Sequence, residues 1–199
     1  MAWYDRSVTN PDGVSPLPHP RATIEDVIPQ ALALFDQGER VDMNSLAMRL
    51  GIGRATLYRW VGDREHVLDR VILTCVQELW AGAQPRSRGQ GIDRALSTVR
   101  LFLRDSTAYA PLRDFAQREP NLALRVLLNE DGEVNHAIRW ALALEVTAYT
   151  ALEVPDETFA VLALTATALV WASVAAGREP AIEATVTIMR TVLTATDRS

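Results

Sequence analysis

Lysine is missing from this chain, and all twenty basic residues among its 199 are arginine. A GC-rich coding sequence accounts for that bias before function does, although arginine also favours bidentate recognition. Cysteine is nearly missing too. Cys75 is the single one, so no internal disulfide can form, and its place in an apolar run suits a buried thiol in a reducing cytoplasm rather than a nucleophile. Histidine is scarce: His19, His66 and His136 lie far apart, with no metal-ligand spacing, no HExxH and no cysteine pair, so neither a metal site nor another cofactor is expected. Gly51-Ile52-Gly53 superficially suggests a dinucleotide loop. Thr56 occupies the position of the third glycine and the preceding element reads as a helix, so the strand-turn-helix context is lacking and no enzyme is expected. The amino terminus shows no basic region followed by an apolar run, which disfavours a secretory signal. No segment alternates with period two for long enough to be a strand.

What is present is helical. With 48% hydrophobic residues the chain can bury a substantial core, and apolar residues recur at spacings of three and four. Pro11, Pro16, Pro18 and Pro20 make residues 1–20 an irregular arm, with only Arg6 and Arg21 nearby to offer a phosphate. A first domain covers 21–72: its first helix, 23–37, contains Pro29 and should bend there or start late, and its final helix runs from Asp63 to about Ala83. The run QPRSRGQG breaks the pattern as a linker. Helices then follow over 92–108, 112–118, 121–129, 134–153, 157–176 and 180–195, so residues 84–199 form an all-α second domain. Residues 159–176 carry no charge over 18 positions, the length at which a membrane span must be weighed. Their many small side chains and the charged flanks favour a buried bundle helix.

Residues 42–66, DMNSLAMRLGIGRATLYRWVGDREH, carry the most information. Asp42 can cap a helix striped by Leu46 and Leu50, Gly51 ends it, and a second helix begins after Gly53. With Leu57 inward, a turn of about 100° per residue brings Gly53, Val61 and Trp60 to the packed side and leaves Ala55 and Arg59 on the opposite crest, flanked by Thr56 and Tyr58. Such a helix fits a DNA major groove. Arg59 can donate to guanine, Ala55 can touch a thymine methyl, and the flanking hydroxyls can reach phosphates. Arg64, in the first turn of the next helix, joins a cation to exposed N–H groups where a phosphate could sit. Charge agrees with this reading despite the net −5. Segments 40–70 and 71–110 are each +2, whereas 1–39 and 111–199 carry −4 and −5.

These residues resemble the DNA-binding domain of the TetR family of bacterial transcriptional regulators. The resemblance rests on Leu46-Ala47, Gly51-Ile52, Thr56-Leu57-Tyr58, and Arg64-Glu65 followed by Val67-Leu68. It implies phosphate contacts by Thr56, Tyr58 and Arg64 and base contacts by Arg54, Ala55 and Arg59; Asn44 completes the DNA-contacting candidates. Asp42 stands where the family usually has threonine, Gly53 where serine caps the helix, and Val61 where phenylalanine plugs the core. Asp and Gly both serve as caps and Trp60 can supply aromatic volume, so only the phosphate contact at position 42 is in doubt. The wording RATLYRWVGDRE is also similar to the narrower QsdR-like subgroup, associated with catabolism of lactones, including quorum-sensing signals.

The family's usual architecture implies a homodimer on a near-palindromic DNA operator and a small-molecule effector. Leu162, Ala166, Leu169 and Ser173 on one helix and Ile182, Val186, Met189 and Leu193 on the next form apolar stripes suited to a four-helix interface. Phe102, Phe115, Trp140, Tyr149 and Trp171 are aromatics able to wall an effector cavity, and Glu145 shares a stripe with Leu142, Tyr149 and Leu152. The expected protein is a cytoplasmic, ligand-responsive repressor released by an apolar effector such as a lactone or acyl compound. The alternative is a non-enzymatic helical adaptor that uses the same motif for packing, which leaves the polar crest of the second helix without a shared purpose.

Overall fold

The computed structural model describes residues 22–196. The irregular arm expected over 1–20 lies outside the described residues, and Arg21 with it. A 3-10 turn at Ile24–Asp26 precedes helix α1, Val27–Asp36. Pro29 is therefore the third residue of α1, where its missing N–H removes no helical hydrogen bond, so the helix starts late instead of bending. Helices α2 (Met43–Leu50) and α3 (Arg54–Val61) follow, and α4 runs unbroken from Arg64 to Ala83. The remaining helices are α5 (Gly91–Ala108), α6 (Ala110–Arg118), α7 (Pro120–Leu127), α8 (Glu133–Tyr149), α9 (Asp156–Ala175) and α10 (Ile182–Thr196). The described residues contain no strand. Pro111 and Pro120 fall in the first turns of α6 and α7, where their fixed φ is already helical.

Helix α4 joins the two halves. Its first half buries Val67, Leu68 and Val71 against α1, which contributes Val27, Ala31, Leu34 and Phe35; its second half buries Cys75, Val76, Trp80 and Ala83. There α4 packs on α5 and α8, and the Trp80 and Phe102 rings meet at 5.0 Å. One continuous buried cluster therefore extends from Val27 to Leu193. Burial pushes the Cys75 thiol up to about 11, so it stays protonated and unreactive near neutral pH.

Two sequence expectations change. Residues 84–91, the expected linker, include the 3-10 turn Gln84–Arg86 and are tied down at one point: Ser87 is fully buried with its hydroxyl on the Gln84 carbonyl at 2.7 Å, and the Arg94 guanidinium donates to the carbonyls of Gln84 and Ser87. Helix α8 ends at Tyr149 instead of 153. Thr150 adopts extended backbone and its hydroxyl donates to the Val146 carbonyl at 2.8 Å, a local bond that competes with helix continuation. Leu152 therefore lies beyond the stripe assigned to it.

Helix α9 is long and apolar enough to cross a membrane, with a mean hydropathy of 1.9. Here it packs among α5 to α8 and α10, burying Phe159, Leu162, Val170, Trp171 and Val174. Small side chains such as Ala163 and Ala166 allow that close approach.

Candidate DNA-reading surface and effector region

The turn between α2 and α3 follows from three residues. Asp42 caps α2, its carboxylate accepting from the Asn44 N–H at 2.8 Å, the Ser45 N–H at 3.4 Å and the Ser45 hydroxyl at 2.6 Å. Those hydrogen bonds, the Ser45 hydroxyl first, hold the Asp42 carboxyl below the usual carboxylate range. Gly51 ends α2 at φ 63°, a left-handed conformation that glycine adopts without steric cost. The Ile52 N–H then closes onto the Ala47 carbonyl at 3.0 Å, and Gly53 caps α3 from extended backbone without a side-chain bond. Asp63 caps α4 in its turn, accepting from the His66 N–H at 3.0 Å.

Helix α3 buries Leu57 and Val61, with Trp60 half-buried against the core. Arg54, Ala55, Tyr58 and Arg59 are exposed and Thr56 is half-buried, so the crest expected from the helical turn is present. Gly53, expected on the packed side, is exposed, because it precedes the helix and does not follow its rotation. Arg54 and Arg59 take part in no ion pair among the described residues. Arg49 on α2, by contrast, is committed to Glu39 at 2.7 Å. Asn44 is exposed at the start of α2. Asp42 is wholly engaged as a cap, and its carboxylate has no proton to donate to a phosphate.

Arg64 stands differently from its expectation. Its Nη1 and Nη2 donate to the two oxygens of Glu119 at 2.6 and 2.7 Å, and Nε donates to the Val41 carbonyl at 2.5 Å. All three nitrogens are thus occupied within the chain. Glu119 joins α6 to α7, and Arg40 also reaches it at 3.4 Å. Further ties run between the same halves: Arg118 donates to the Gly38 carbonyl at 3.1 Å, Arg125 pairs with Glu65 at 2.9 Å, and the Tyr109 hydroxyl donates to Asp36. Sequence spacing gave no signal for Glu119, which lies 55 residues from its partner.

The effector candidates do not gather around one cavity. Phe102 lines a cavity of about 20 Å³ with Trp80, Val99, Leu142, Ala166 and Met189, room for about one water. Phe115 lies elsewhere, edge-on to Phe35 at 5.9 Å, beside a 230 Å³ cavity between the two halves of the chain. Trp171 is buried in α9, whereas Trp140 is 67% exposed. The reason is rotational: two residues at about 100° each put Trp140 opposite Leu142, which faces the core. Glu145 is 2% exposed and accepts from Gln84 Nε2 at 3.0 Å and the Thr98 hydroxyl at 2.5 Å. Tyr149, at the end of α8, is exposed instead, its ring under the Arg94 guanidinium at 5.2 Å. Glu145 and Tyr149 therefore do not form the expected pair.

The dimer candidates divide likewise. Leu162, Ala166, Val186, Met189 and Leu193 are buried within the single chain and fill its own core. Ile182 and Ser173 are half-buried and Leu169 is exposed. The last two helices instead expose Val161 at 64%, Leu169 at 37% and Ile188 at 43%. Both sides of α9 are apolar, which is why periodicity did not show the inward one.

An α2-turn-α3 unit with uncommitted arginines on its outer helix, continuous through α4 with a larger helical bundle, is the form of a helix-turn-helix transcriptional regulator. Residues 90–194, more than half of the chain, match the family described as tetracyclin repressor-like, C-terminal domain. The chain belongs to the TetR family. Its fold is similar to that of the transcriptional repressor QsdR of R. erythropolis, with a TM-score of 0.78 and 25% identity over 86% of this chain and 94% of that one. It is similar in fold also to AlkX of Dietzia sp. strain DQ12-45-1b, a TetR family repressor implicated in n-alkane biodegradation, with a TM-score of 0.54 and 18% identity over 90% and 96%. No curated protein sequence matches the chain.

Asp42→Ala is expected to cost about 0.5–2 kcal/mol of stability through loss of the α2 cap, read as a lower melting temperature. Acid should act in the same direction on the wild type. The Asp42 and Glu119 carboxyls both lie below their ordinary values, Glu119 chiefly through its hydrogen bond from Arg64. Their contribution is complete above the unfolded carboxylate range and disappears as pH falls through the lowered folded values. Melting temperature against pH, in wild type and Asp42→Ala, checks this: the acid-side slope of the variant should be shallower.

Proposed function

We propose that the chain is a cytoplasmic, ligand-responsive transcriptional repressor that binds a near-palindromic operator as a homodimer. The observation that carries this reading is the outer face of α3, where Arg54, Ala55, Tyr58 and Arg59 are exposed and both arginines lack an ion pair among the described residues. A two-fold dimer through the outward side of α9 and α10 would bring two such helices to successive major grooves, about 34 Å apart. Val161, Leu169 and Ile188 are the apolar contacts of that interface, in place of the buried stripe residues.

The effector is a small apolar molecule of the lactone or acyl class, as the sequence resemblance of residues 54–65 implies. The interior cavity lined by Phe102 has a volume of about 20 Å³, while small-molecule sites occupy about 300–1,000 Å³. An effector entering there must separate α5, α8, α9 and α10. Ligand entry and rearrangement of the bundle are then one event, and the effector's preference for the opened state is what lowers DNA affinity. Trp140 and Tyr149, on the outside of α8, take no part in that site.

The test is fluorescence anisotropy of the full-length protein on DNA from its own upstream region, across a salt series, repeated with a panel of lactones and fatty acyl compounds. Tight, salt-steep binding released by one compound supports the whole reading. Binding that no compound releases removes the proposed effector class, and a folded dimer that binds no neighbouring promoter counts against the operator.

A further inference from the structure

Arg64 opens α4 immediately after the turn that follows the DNA-reading helix. Its planar fork is filled by Glu119, both oxygens engaged, with side-chain exposures of 19% and 25%. A guanidinium offers a carboxylate and a phosphate the same pair of parallel N–H bonds. Glu119 therefore occupies the donor face that a DNA phosphate beside the start of α4 would use. It belongs to the other half of the chain, at the α6–α7 junction, where its backbone leaves the helical region at φ −131° and ψ 59°. The pair itself lines the 230 Å³ cavity, together with Phe35, Glu39, Val41, Leu68, Phe115 and Arg118, so open space adjoins the carboxylate. Arg40 touches Glu119 from the exposed side, its own side chain 67% exposed.

We propose that Glu119 is a positioning residue for DNA recognition: it stands in for a phosphate on Arg64, so that Arg64 reaches the DNA backbone only when the α6–α7 junction withdraws. The inference rests on the DNA-binding reading above and adds to it a named contact by which the second domain controls affinity. Through the Nε bond to the Val41 carbonyl, the same arginine also steadies the residue before the Asp42 cap. The pair thus fixes the entry of α2 as well as the charge at the start of α4.

The experiment is a double-mutant cycle on the full-length protein with a duplex from its own upstream region, by anisotropy between about 50 and 200 mM salt, the range over which phosphate contacts separate most clearly. Glu119→Gln should bind tighter than wild type and steepen the slope of log affinity against log salt by about 0.9 per half-site, the increment for one added phosphate contact. Arg64→Ala should remove that gain and take more slope from the Glu119→Gln protein than from wild type. Glu119→Asp, which keeps the charge and shortens the reach, should lie between wild type and Glu119→Gln. It also provides the comparison if the glutamine variant fails to fold.

A gain in affinity that survives Arg64→Ala would mean that only a negative charge had been removed from the neighbourhood, and would overturn the proposal. So would equal slopes in wild type and Glu119→Gln. Absence of binding by all the folded variants would instead remove the DNA reading itself, a result distinct from an unchanged slope on a bound duplex.

Discussion

Arg59→Ala is expected to lower operator affinity by about 5- to 150-fold per half-site, equivalent to about 1–3 kcal/mol for each lost bidentate base contact. The loss should be confined to one base pair in each half-site. Arg59 is exposed on α3 with no ion pair among the described residues, so its guanidinium meets DNA without first breaking a contact in the chain. Ala55, one turn earlier, leaves the groove side open beside it. Measured over operators substituted one base pair at a time, the variant should stop discriminating at a single symmetric pair of positions and keep most of its salt dependence. A uniform loss over every sequence with a flatter slope would reassign Arg59 to the phosphates. Arg49→Ala is the comparison: that arginine is paired with Glu39, and its removal should leave sequence preference as it was.

The contrast between Arg59 and Arg64 shows what was legible in the sequence. Local chemistry was legible: the Asp42 cap, the left-handed Gly51, the inward Leu57 and the outward Arg59 all depend on residues within one or two turns of each other. The all-α architecture was legible from the apolar spacing of three and four in most helices and from the prolines and glycines between them, although the end of α8 and the inward side of α9 were not. The partner of Arg64 was not, because Glu119 meets it only after α4 to α6 have packed. In the second domain the limit was symmetry of composition. Helix α9 is apolar on more than one side, so Leu162 and Ala166 were expected outside and are inside. Trp140 failed in the opposite sense: an aromatic at a plausible cavity position sits opposite the buried Leu142, and helical rotation, not residue type, decides its exposure.

Ile188→Asp is expected to split the proposed homodimer and lower operator affinity by about 10²- to 10⁴-fold, the size of effect that follows when two linked binding events become independent. Ile188 is 43% exposed on α10, and Val161 and Leu169 are exposed apolar residues of α9. A charge there costs an isolated chain little, because the position stays solvated. At a two-fold interface it brings two carboxylates into an apolar contact at once. The variant should therefore keep its helical signal and monomer fold while its mass, by light scattering, falls by half. Leu193→Ala separates this from a packing defect. Leu193 is fully buried within the chain, so its truncation should cost about 2–5 kcal/mol of folding stability and leave dimerisation to whatever fraction remains folded. If Ile188→Asp stays dimeric and binds DNA as before, the interface lies elsewhere on the molecule. The exposed Trp140 and Leu144 on α8 then become the next apolar surface to charge, by the same logic that exposed apolar patches mark contacts.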